Sequence, residues 1–188
     1  MRRIQALLQA HAVVTVVAPW LSPEVEVIGT ESQVTVARRR FRAADLAGVF
    51  LAVAASDDPA VNKLVATLAR ERGVLVNSVD DASACDMIFP AVVRRGDVQI
   101  AITTGGRVPA LSRHLRGVVE RAVPAEYEGL GALLAQLRAE LLADNLRVDA
   151  ETWQRAIDRR LLNLVKRGEL GKAMSLARKR LKPDARAP

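Results

Sequence analysis

The chain has 188 residues, half of them hydrophobic, and a formal net charge of +7 at neutral pH. This length allows one or two compact units with a buried core, and no apolar run approaches the roughly 18 residues that a membrane-spanning helix needs. The single cysteine, Cys85, excludes an internal disulfide and agrees with a reducing cytoplasm.

The positive charge suggests an anionic partner. Nucleic acid is disfavoured, because two tryptophans, one tyrosine and three phenylalanines provide few stacking platforms, and one cysteine cannot build a zinc finger. A polyanionic small molecule would use the same arginines equally well.

The first half of the chain alternates apolar runs with helical patterns. Apolar residues at helical spacing in 2–9 predict a helix, which leads into a buried strand at 13–17. Further strands are predicted at 33–36, 49–55 and 74–76. The polar residues at 56–58 and Pro59 predict the start of a helix, and Gly73 predicts its end. Apolar β-branched runs alternating with helices are typical of a parallel sheet, so this half is predicted to be α/β.

Beyond Asp80 the pattern changes. Apolar runs at 89–94 and 98–103 predict two strands joined by a tight hairpin at 95–97. From Pro109 onward the chain is predicted to be helical, with three apolar stripes that are typical of core-facing surfaces. The first contains Leu130, Leu133, Leu134, Leu137 and Leu141, the second Trp153, Ile157, Leu161 and Leu164, and the third Leu170, Met174, Ala177 and Leu181.

Polar residues follow two of the predicted strands, where open α/β sheets bind ligands. Ser56-Asp57-Asp58 is explained equally well by helix capping and by contact with a nucleotide at the helix N-terminus. Asp80-Asp81 is either a solvated turn or part of a site. The loop Thr103-Thr104-Gly105-Gly106 is suited to close backbone approach by an anionic group.

Three motifs in residues 76–116 occur in a specific order. An Asn-x-Val-Asp turn at 77–80 is followed by Phe-Pro at 89–90, a strand pair, and Thr-Gly-Gly-x-x-Pro-Ala-Leu at 104–111. This segment closely resembles the amino-terminal module of the siroheme synthases, a family that includes precorrin-2 dehydrogenases with sirohydrochlorin ferrochelatase activity. Residues 14–19 and 49–62 are similar to the nucleotide-binding strands of the same family.

The resemblance implies a Rossmann-like NAD-binding domain at 1–85, a hairpin-containing dimerisation region at 86–122 and an all-helical domain with a basic tail at 123–188. It implies an NAD-dependent oxidation of precorrin-2 to sirohydrochlorin, in siroheme or cobalamin biosynthesis, with ferrous iron as the substrate of a second activity. The implied partners are the polycarboxylate tetrapyrrole, a second copy of the chain and a separate uroporphyrinogen methyltransferase that supplies precorrin-2. Neither nucleic acid nor a membrane is expected.

The resemblance also assigns roles to individual residues. Asp80 matches the family's catalytic aspartate, a general base and a candidate contact for the inserted metal. The implied cofactor-binding residues are Ala18, Pro19, Ser56 and Asp57. The implied substrate-binding residues are Thr104, Gly105, Gly106, Arg107 and Arg113, with the arginines as carboxylate clamps.

The sequence departs from the family at its start. Members normally begin with one more strand and a glycine-rich turn ahead of the helix at which this chain begins, so the Rossmann-like sheet is expected to be N-terminally incomplete. An edge left open near 13–17 would aggregate or recruit a partner. Either the start was assigned too late, or the chain is a truncation that binds its cofactor poorly. Ala18-Pro19 stands where an acidic ribose ligand is usual, which leaves NAD and NADP both open.

Two alternatives from other classes remain open. One is a non-catalytic protein that binds the tetrapyrrole but has lost its cofactor site, which tight sirohydrochlorin binding without turnover would indicate. The other is a nucleic-acid binder that uses its basic tail, which steeply salt-dependent DNA binding would indicate. That tail contains Lys166, Arg167, Lys172, Arg178, Lys179, Arg180, Lys182 and Arg186.

Overall fold

The structure is a computed structural model that describes residues 1–30 and 33–181. It divides into two compact units, one formed by Met1–Phe89 with Gly105–Arg107 and the other by Pro90–Thr104 with residues 108–181. Within the described residues, no helix is long and apolar enough to cross a membrane. Lys182 and Arg186 of the predicted basic tail lie outside the described residues. The three-part domain division stays a prediction.

The described residues of the first unit form four strands and three α-helices, with two short 3-10 helices at Ala43–Leu46 and Ala82–Ala84. The strands and α-helices are α1 (Arg2–Leu8), β1 (Val14–Val17), α2 (Pro23–Ile28), β2 (Val34–Ala37), β3 (Leu51–Ala54), α3 (Pro59–Glu71) and β4 (Leu75–Ser78). The predicted α/β class is confirmed. Helix α2 was not predicted, because it is only six residues long and buries one side chain, Ile28. Pro23 at its first position was the available signal.

The strands of this unit form two separate parallel pairs. β1 pairs with β2 from Val14↔Val34 to Val17↔Ala37, and β3 pairs with β4 from Leu51↔Leu75 to Ala54↔Ser78. Among the described residues, β1 and β3 therefore each have a strand neighbour on one side only. The strands and their parallel direction agree with the prediction from the sequence. The prediction was of one parallel sheet, whereas the structure has two pairs.

Two apolar clusters hold the first unit together. Around β1 and β2 the buried residues are Val14, Ile28 and Val34. Around β3, α3 and β4 they are Leu46, Ala52, Ala54, Val65, Ala66, Ala69, Val74 and Val76. Helix α3 begins where Asp58 accepts a hydrogen bond from the Ala60 amide, with Pro59 at the first helical position. Gly73, at a φ of 67°, turns the chain from α3 into β4.

Up to residue 181, the second unit forms a hairpin and five helices. They are β5 (Ala91–Arg95), β6 (Val98–Ile102), α4 (Pro109–Ala122), α5 (Glu126–Ala143), α6 (Ala150–Ala156), α7 (Arg159–Lys166) and α8 (Leu170–Arg180). β5 and β6 are antiparallel, with Arg95 opposite Val98 and Gly96 at a φ of 57° in the turn.

The helical core is built from the apolar stripes of α5, α7 and α8. Its largest fully buried side chains are Leu137, Leu161 and Leu181. The stripe predicted to run from Trp153 to Leu164 is divided between two helices. The chain is extended at Ile157, and the Asp158 carboxylate accepts the Leu161 amide to start α7, so Ile157 is 43% exposed instead of buried.

Candidate active site

Asp80 lies just beyond the carboxyl end of β4, with both carboxylate oxygens hydrogen-bonded. The Ser78 hydroxyl donates to Oδ1 at 2.5 Å, and the Asn62 amide nitrogen donates to Oδ2 at 2.9 Å. These two bonds, that from Asn62 first, hold the pKa of Asp80 below its usual value. Asp80 is therefore an exposed carboxylate that is fixed in place and ionised.

Asn62 joins the ends of β3 and β4. It lies on α3 and is 2% exposed. Its Oδ1 accepts the Ser56 backbone N–H at 2.8 Å, and its Nδ2 donates to the Ser56 carbonyl at 2.9 Å as well as to Asp80. Sequence reasoning missed this residue. The available signal was a polar residue on an otherwise apolar face, because Asn62 lies on the same buried face of α3 as Val65, Ala66 and Ala69.

The segment after Asp80 folds back along the outer edge of β4. Asp86 donates its amide to the Val76 carbonyl and accepts the Val76 amide on its side chain, at 2.8 and 3.0 Å. The Cys85 sulfur contacts the Ser78 N–H and carbonyl at 3.1 and 3.2 Å. These contacts occupy backbone groups that point away from β3, and they fix the loop that carries Asp80.

Asp81 serves the turn that follows. Its Oδ1 accepts from the amide and the hydroxyl of Ser83, at 2.8 and 2.6 Å, and these bonds lower the pKa of Asp81. Both carboxylates of the Asp80-Asp81 pair are thus ionised, but Asp81 is engaged within its own short turn.

The predicted cofactor-binding residues follow β1 and β3. Ala18 is half-buried and Pro19 exposed at the end of β1, where the Ala18 amide bonds to the Ala37 carbonyl at 3.2 Å. Ser56 and Asp57 follow β3. The Ser56 hydroxyl accepts the Asp58 amide at 3.2 Å, and the Asp58 carboxylate caps α3, as the capping interpretation predicted.

These residues fit some parts of a dinucleotide better than others. Ala18 and Pro19 present small apolar groups, and Ser56 and Asp57 present a hydroxyl and an exposed carboxylate, which suit a base and a sugar. The Asp58 carboxylate already accepts the Ala60 amide at the N-terminus of α3, so its negative charge disfavours a phosphate at that helix end.

The predicted substrate-binding residues are divided between the two units. Gly105, Gly106 and Arg107 belong to the first, and Thr104 and Arg113 to the second. A Cβ at Gly106 would lie 2.8 Å from Cδ1 of Ile88 and 3.4 Å from Cβ of Ala82, so the Gly-Gly turn packs against the loop that follows Asp80.

The hydroxyl of Thr104 is engaged at the start of α4. It bonds to the backbone of Val108 at 3.0 and 3.2 Å and lies 3.1 Å from the Ser112 hydroxyl. Arg107 and Arg113 are exposed, and neither forms an ion pair among residues 1–30 and 33–181.

The described part of the chain contains no group of three or more histidine, cysteine, aspartate or glutamate side chains that would hold a metal ion. The side-chain partners of Asp80 are an amide and a hydroxyl, so its contact with a metal stays a prediction.

Comparisons with known proteins match this chain to an NAD(P)-binding family and to siroheme synthases. Residues 1–91 match a family model described as "Putative NAD(P)-binding". The chain is 37% identical over 183 residues to a siroheme synthase from Chromobacterium violaceum, and the match covers 96% of this chain and 39% of that protein. It is 36% identical over 159 residues to a siroheme synthase from Methylococcus capsulatus, and that match covers 84% of this chain and 34% of that protein.

Among solved structures, the chain is similar to SirC, a precorrin-2 dehydrogenase. The TM-score is 0.72 and the sequence identity is 30%, and the match covers 93% of this chain and 87% of that one. The chain thus spans well under half the length of these two siroheme synthases but most of the length of the SirC structure.

Proposed function

Because this chain belongs to the precorrin-2 dehydrogenase family, we propose that it oxidises precorrin-2 to sirohydrochlorin in siroheme biosynthesis. The observation that carries the proposal is Asp80, which Asn62 and Ser78 hold at a strand end. The loop that follows Asp80 packs against Gly106 through Ala82 and Ile88. The reaction removes one hydride and one proton from the tetrapyrrole, so it needs a hydride acceptor and a base.

NAD is the proposed hydride acceptor. When bound, it supplies a two-electron acceptor for the hydride. Ala18 and Pro19 would line the adenine side, and Ser56 and Asp57 would approach the sugar. The match of residues 1–91 to an NAD(P)-binding family supports this assignment, as does the location of all four residues after parallel strands.

Asp80 is the proposed base. A carboxylate with a lowered pKa is a weak base, and a weak base is efficient only toward an acidic proton. Loss of a hydride leaves the tetrapyrrole electron-poor and therefore more acidic than before. The hydrogen bonds from Asn62 and Ser78 would keep Asp80 ionised and aimed for that proton.

The substrate is proposed to be held by its carboxylates. Arg107 and Arg113 are exposed guanidinium groups, which pair with carboxylates through two parallel hydrogen bonds. The left-handed backbone of Gly105 and Gly106, at φ values of 63° and 77°, allows close approach of a ligand to the main chain. A uroporphyrinogen methyltransferase would supply precorrin-2.

The proposal is tested by following NADH and sirohydrochlorin by absorbance after mixing the protein with precorrin-2 and NAD. Asp80→Asn keeps the shape of the side chain but removes the base, so kcat should fall by roughly 10²- to 10⁴-fold. Asp81→Asn, a matched change in a carboxylate engaged by Ser83, should stay within a few-fold of wild type. Wild-type kcat in Asp80→Asn would contradict the assignment. Tight sirohydrochlorin binding without NADH formation would indicate a non-catalytic binding protein.

Insertion of ferrous iron into sirohydrochlorin is a second activity proposed for the same family site, with iron as a substrate. Asp80 is an ionised oxygen donor suited to a divalent cation. An assay with sirohydrochlorin and ferrous iron tests it. If iron insertion is no faster with the protein than without it, this second activity is refuted, and the proposal of precorrin-2 oxidation is unaffected.

We also propose that the protein is a homodimer through residues 86–122. An exposed apolar side of α4 supports this proposal. Leu111, Leu115 and Val118 recur at helical spacing and are 38–45% exposed, so one side of α4 presents an apolar stripe. A second copy of the chain would cover it.

A further inference from the structure

Asn62 is a polar side chain on a buried face. It follows the first turn of α3, in line with Val65, Ala66 and Ala69, and only 2% of its surface is exposed. An unpaired amide at such a position would be costly, and this one is fully engaged: Oδ1 accepts from the Ser56 N–H, and Nδ2 donates to the Ser56 carbonyl and to Asp80.

The orientation of this amide follows from its partners. Ser56 offers one donor and one acceptor, and Asp80 offers only an acceptor. If the amide were flipped, its oxygen would face the Ser56 carbonyl and the Asp80 carboxylate, and its nitrogen would face an N–H. One orientation alone satisfies all three contacts, so the second N–H of Asn62 points at Asp80.

We propose that Asn62 is a positioning residue that fixes the Asp80 carboxylate relative to the backbone of Ser56. The inference rests on the proposed dehydrogenase function, in which Ser56 approaches the cofactor and Asp80 serves the substrate. A single planar amide, 2.8 and 2.9 Å from its two partners on Ser56 and 2.9 Å from Asp80, joins the two. Asn62 itself is buried and acts only through these two residues.

A structural role alone and a positioning role predict different results. If Asn62 only stabilises the fold, its loss lowers the melting temperature, and the folded variant reacts as wild type does. If Asn62 positions Asp80 and Ser56, its loss disturbs both proposed functions of the site, because small displacements of reacting groups cost large factors in rate.

The experiment uses Asn62→Ala and, as a matched control, Asn163→Ala, which truncates an exposed asparagine on α7. At a temperature where both are folded, Asn62→Ala should lower kcat by roughly 10- to 100-fold and raise the KM for NAD several-fold. It should also move the acid limb of kcat/KM to higher pH. Asn163→Ala should leave kcat, the KM for NAD and the acid limb unchanged. If Asn62→Ala melts earlier but keeps the wild-type kcat, KM and pH profile, the positioning role is overturned.

Carboxyl NMR titration of Asp80 separates this proposal from the proposed function. If wild type is inactive but Asp80 titrates at a higher pH in Asn62→Ala than in wild type, the dehydrogenase assignment fails and the hydrogen-bonded arrangement stands. An unchanged Asp80 titration overturns the positioning role whatever the activity. Asn62→Ser, which keeps a polar group in the buried position but is too short for all three contacts, carries the same expectations should Asn62→Ala not fold.

Discussion

Ser78 gives Asp80 its second hydrogen bond and is the simplest place to change the base without removing it. The hydroxyl donates to Oδ1 of Asp80, while the Ser78 backbone is held by the Cys85 sulfur. The side chain is therefore a donor to a carboxylate whose pKa is lowered by Asn62 first and Ser78 second. Its removal should weaken the preference for the ionised form.

We predict that Ser78→Ala moves the acid limb of the dehydrogenase kcat/KM to higher pH. The sign follows from the direction of the shift, since a depressed pKa keeps Asp80 ionised as the pH falls, and losing a donor returns it toward the ordinary value of about 3.9. Activity near pH 7 should change only a few-fold, because Asp80 stays ionised there. Ser83→Ala, which removes the matching hydroxyl from Asp81, is the control. Coincident acid limbs for wild type and Ser78→Ala would show that Asp80 is not the group that titrates.

At the scale of elements, the start of α7 and the end of α8 are joined through Asp158. Its carboxylate caps α7 at the Leu161 amide and forms two hydrogen bonds with Arg180, at 2.8 and 2.7 Å. Arg180 also donates to the Ala156 carbonyl, at the end of α6. The Arg180 guanidinium, together with the Leu161 amide, lowers the pKa of Asp158 to about 2.

Asp158→Ala should destabilise the protein by roughly 1–2 kcal/mol at pH 7. Most of this comes from the lost helix cap and less from the ion pair, because the Asp158 side chain is 42% exposed and solvent screens the pair. The contribution is fully present above the unfolded pKa of about 3.9 and is lost as the pH falls toward 2. Denaturant unfolding at pH 7 and at low pH checks this, with the exposed Asp144→Ala as the control. If Asp158→Ala lowered the free energy of unfolding equally at both pH values, the contribution of the ionised carboxylate would be refuted.

The apolar stripe of α4 gives the dimer proposal a direct test. Leu115→Glu places a charge at the centre of the stripe, between Leu111 and Val118. A buried unpaired charge opposes association, so the dimer should dissociate, with Kd raised by at least about 100-fold. Arg116→Glu puts the same residue on an exposed position about 100° around α4 from Leu115, outside the stripe, and should leave Kd nearly unchanged. Light scattering after size exclusion measures both, and a dimeric Leu115→Glu variant would place the interface elsewhere.

The sequence predicted elements well where one periodicity dominates. The stripes of α5 and α8 and the capped start of α3 are strong local signals, and the structure contains all three helices. The break at Ile157 was missed, because Trp153, Ile157, Leu161 and Leu164 keep helical spacing across it. Asp158, a good N-cap, ends that continuity by bonding to the Leu161 amide.

The candidate site was predicted only in part, for a related reason. Motif matching identified Asp80, but Asn62 is defined by contacts with Ser56 and Asp80, and Asp80 is 18 residues away in sequence. Such contacts depend on the pairing of β3 with β4, which no local pattern specifies. The engagement of Asp81 with Ser83, in contrast, is local and was among the alternatives as a turn.

At the scale of the whole molecule, the buried residues are unevenly distributed. Eight lie around β3, α3 and β4, whereas three lie around β1 and β2 in the described part of the chain. Val13, next to β1, is 84% exposed. The β1–β2 pair therefore has the thinner core, and it is the part of the first unit most prone to local opening.

The open side of β1 can be assigned to individual backbone groups. The amides of Val14 and Ala18 bond to the β2 side, at the carbonyls of Gln33 and Ala37. Because successive amides of a strand point to opposite sides, Thr15 and Val17 face away from β2. Among the described residues no strand pairs there, and an apolar edge with unpaired amides is a template for association between copies of the chain.

We predict that Thr15→Pro reduces this association without unfolding the chain. Proline removes one amide from the open side of β1 and leaves the bonds to β2 intact, which is the placement that edge strands tolerate. Val16→Pro is the control, because it removes an amide that faces β2 and should destabilise the β1–β2 pair. Turbidity and light scattering against concentration compare the three proteins, with circular dichroism as the check on folding. If Thr15→Pro is folded and aggregates as fast as wild type, the edge of β1 is not the contact through which the molecules associate.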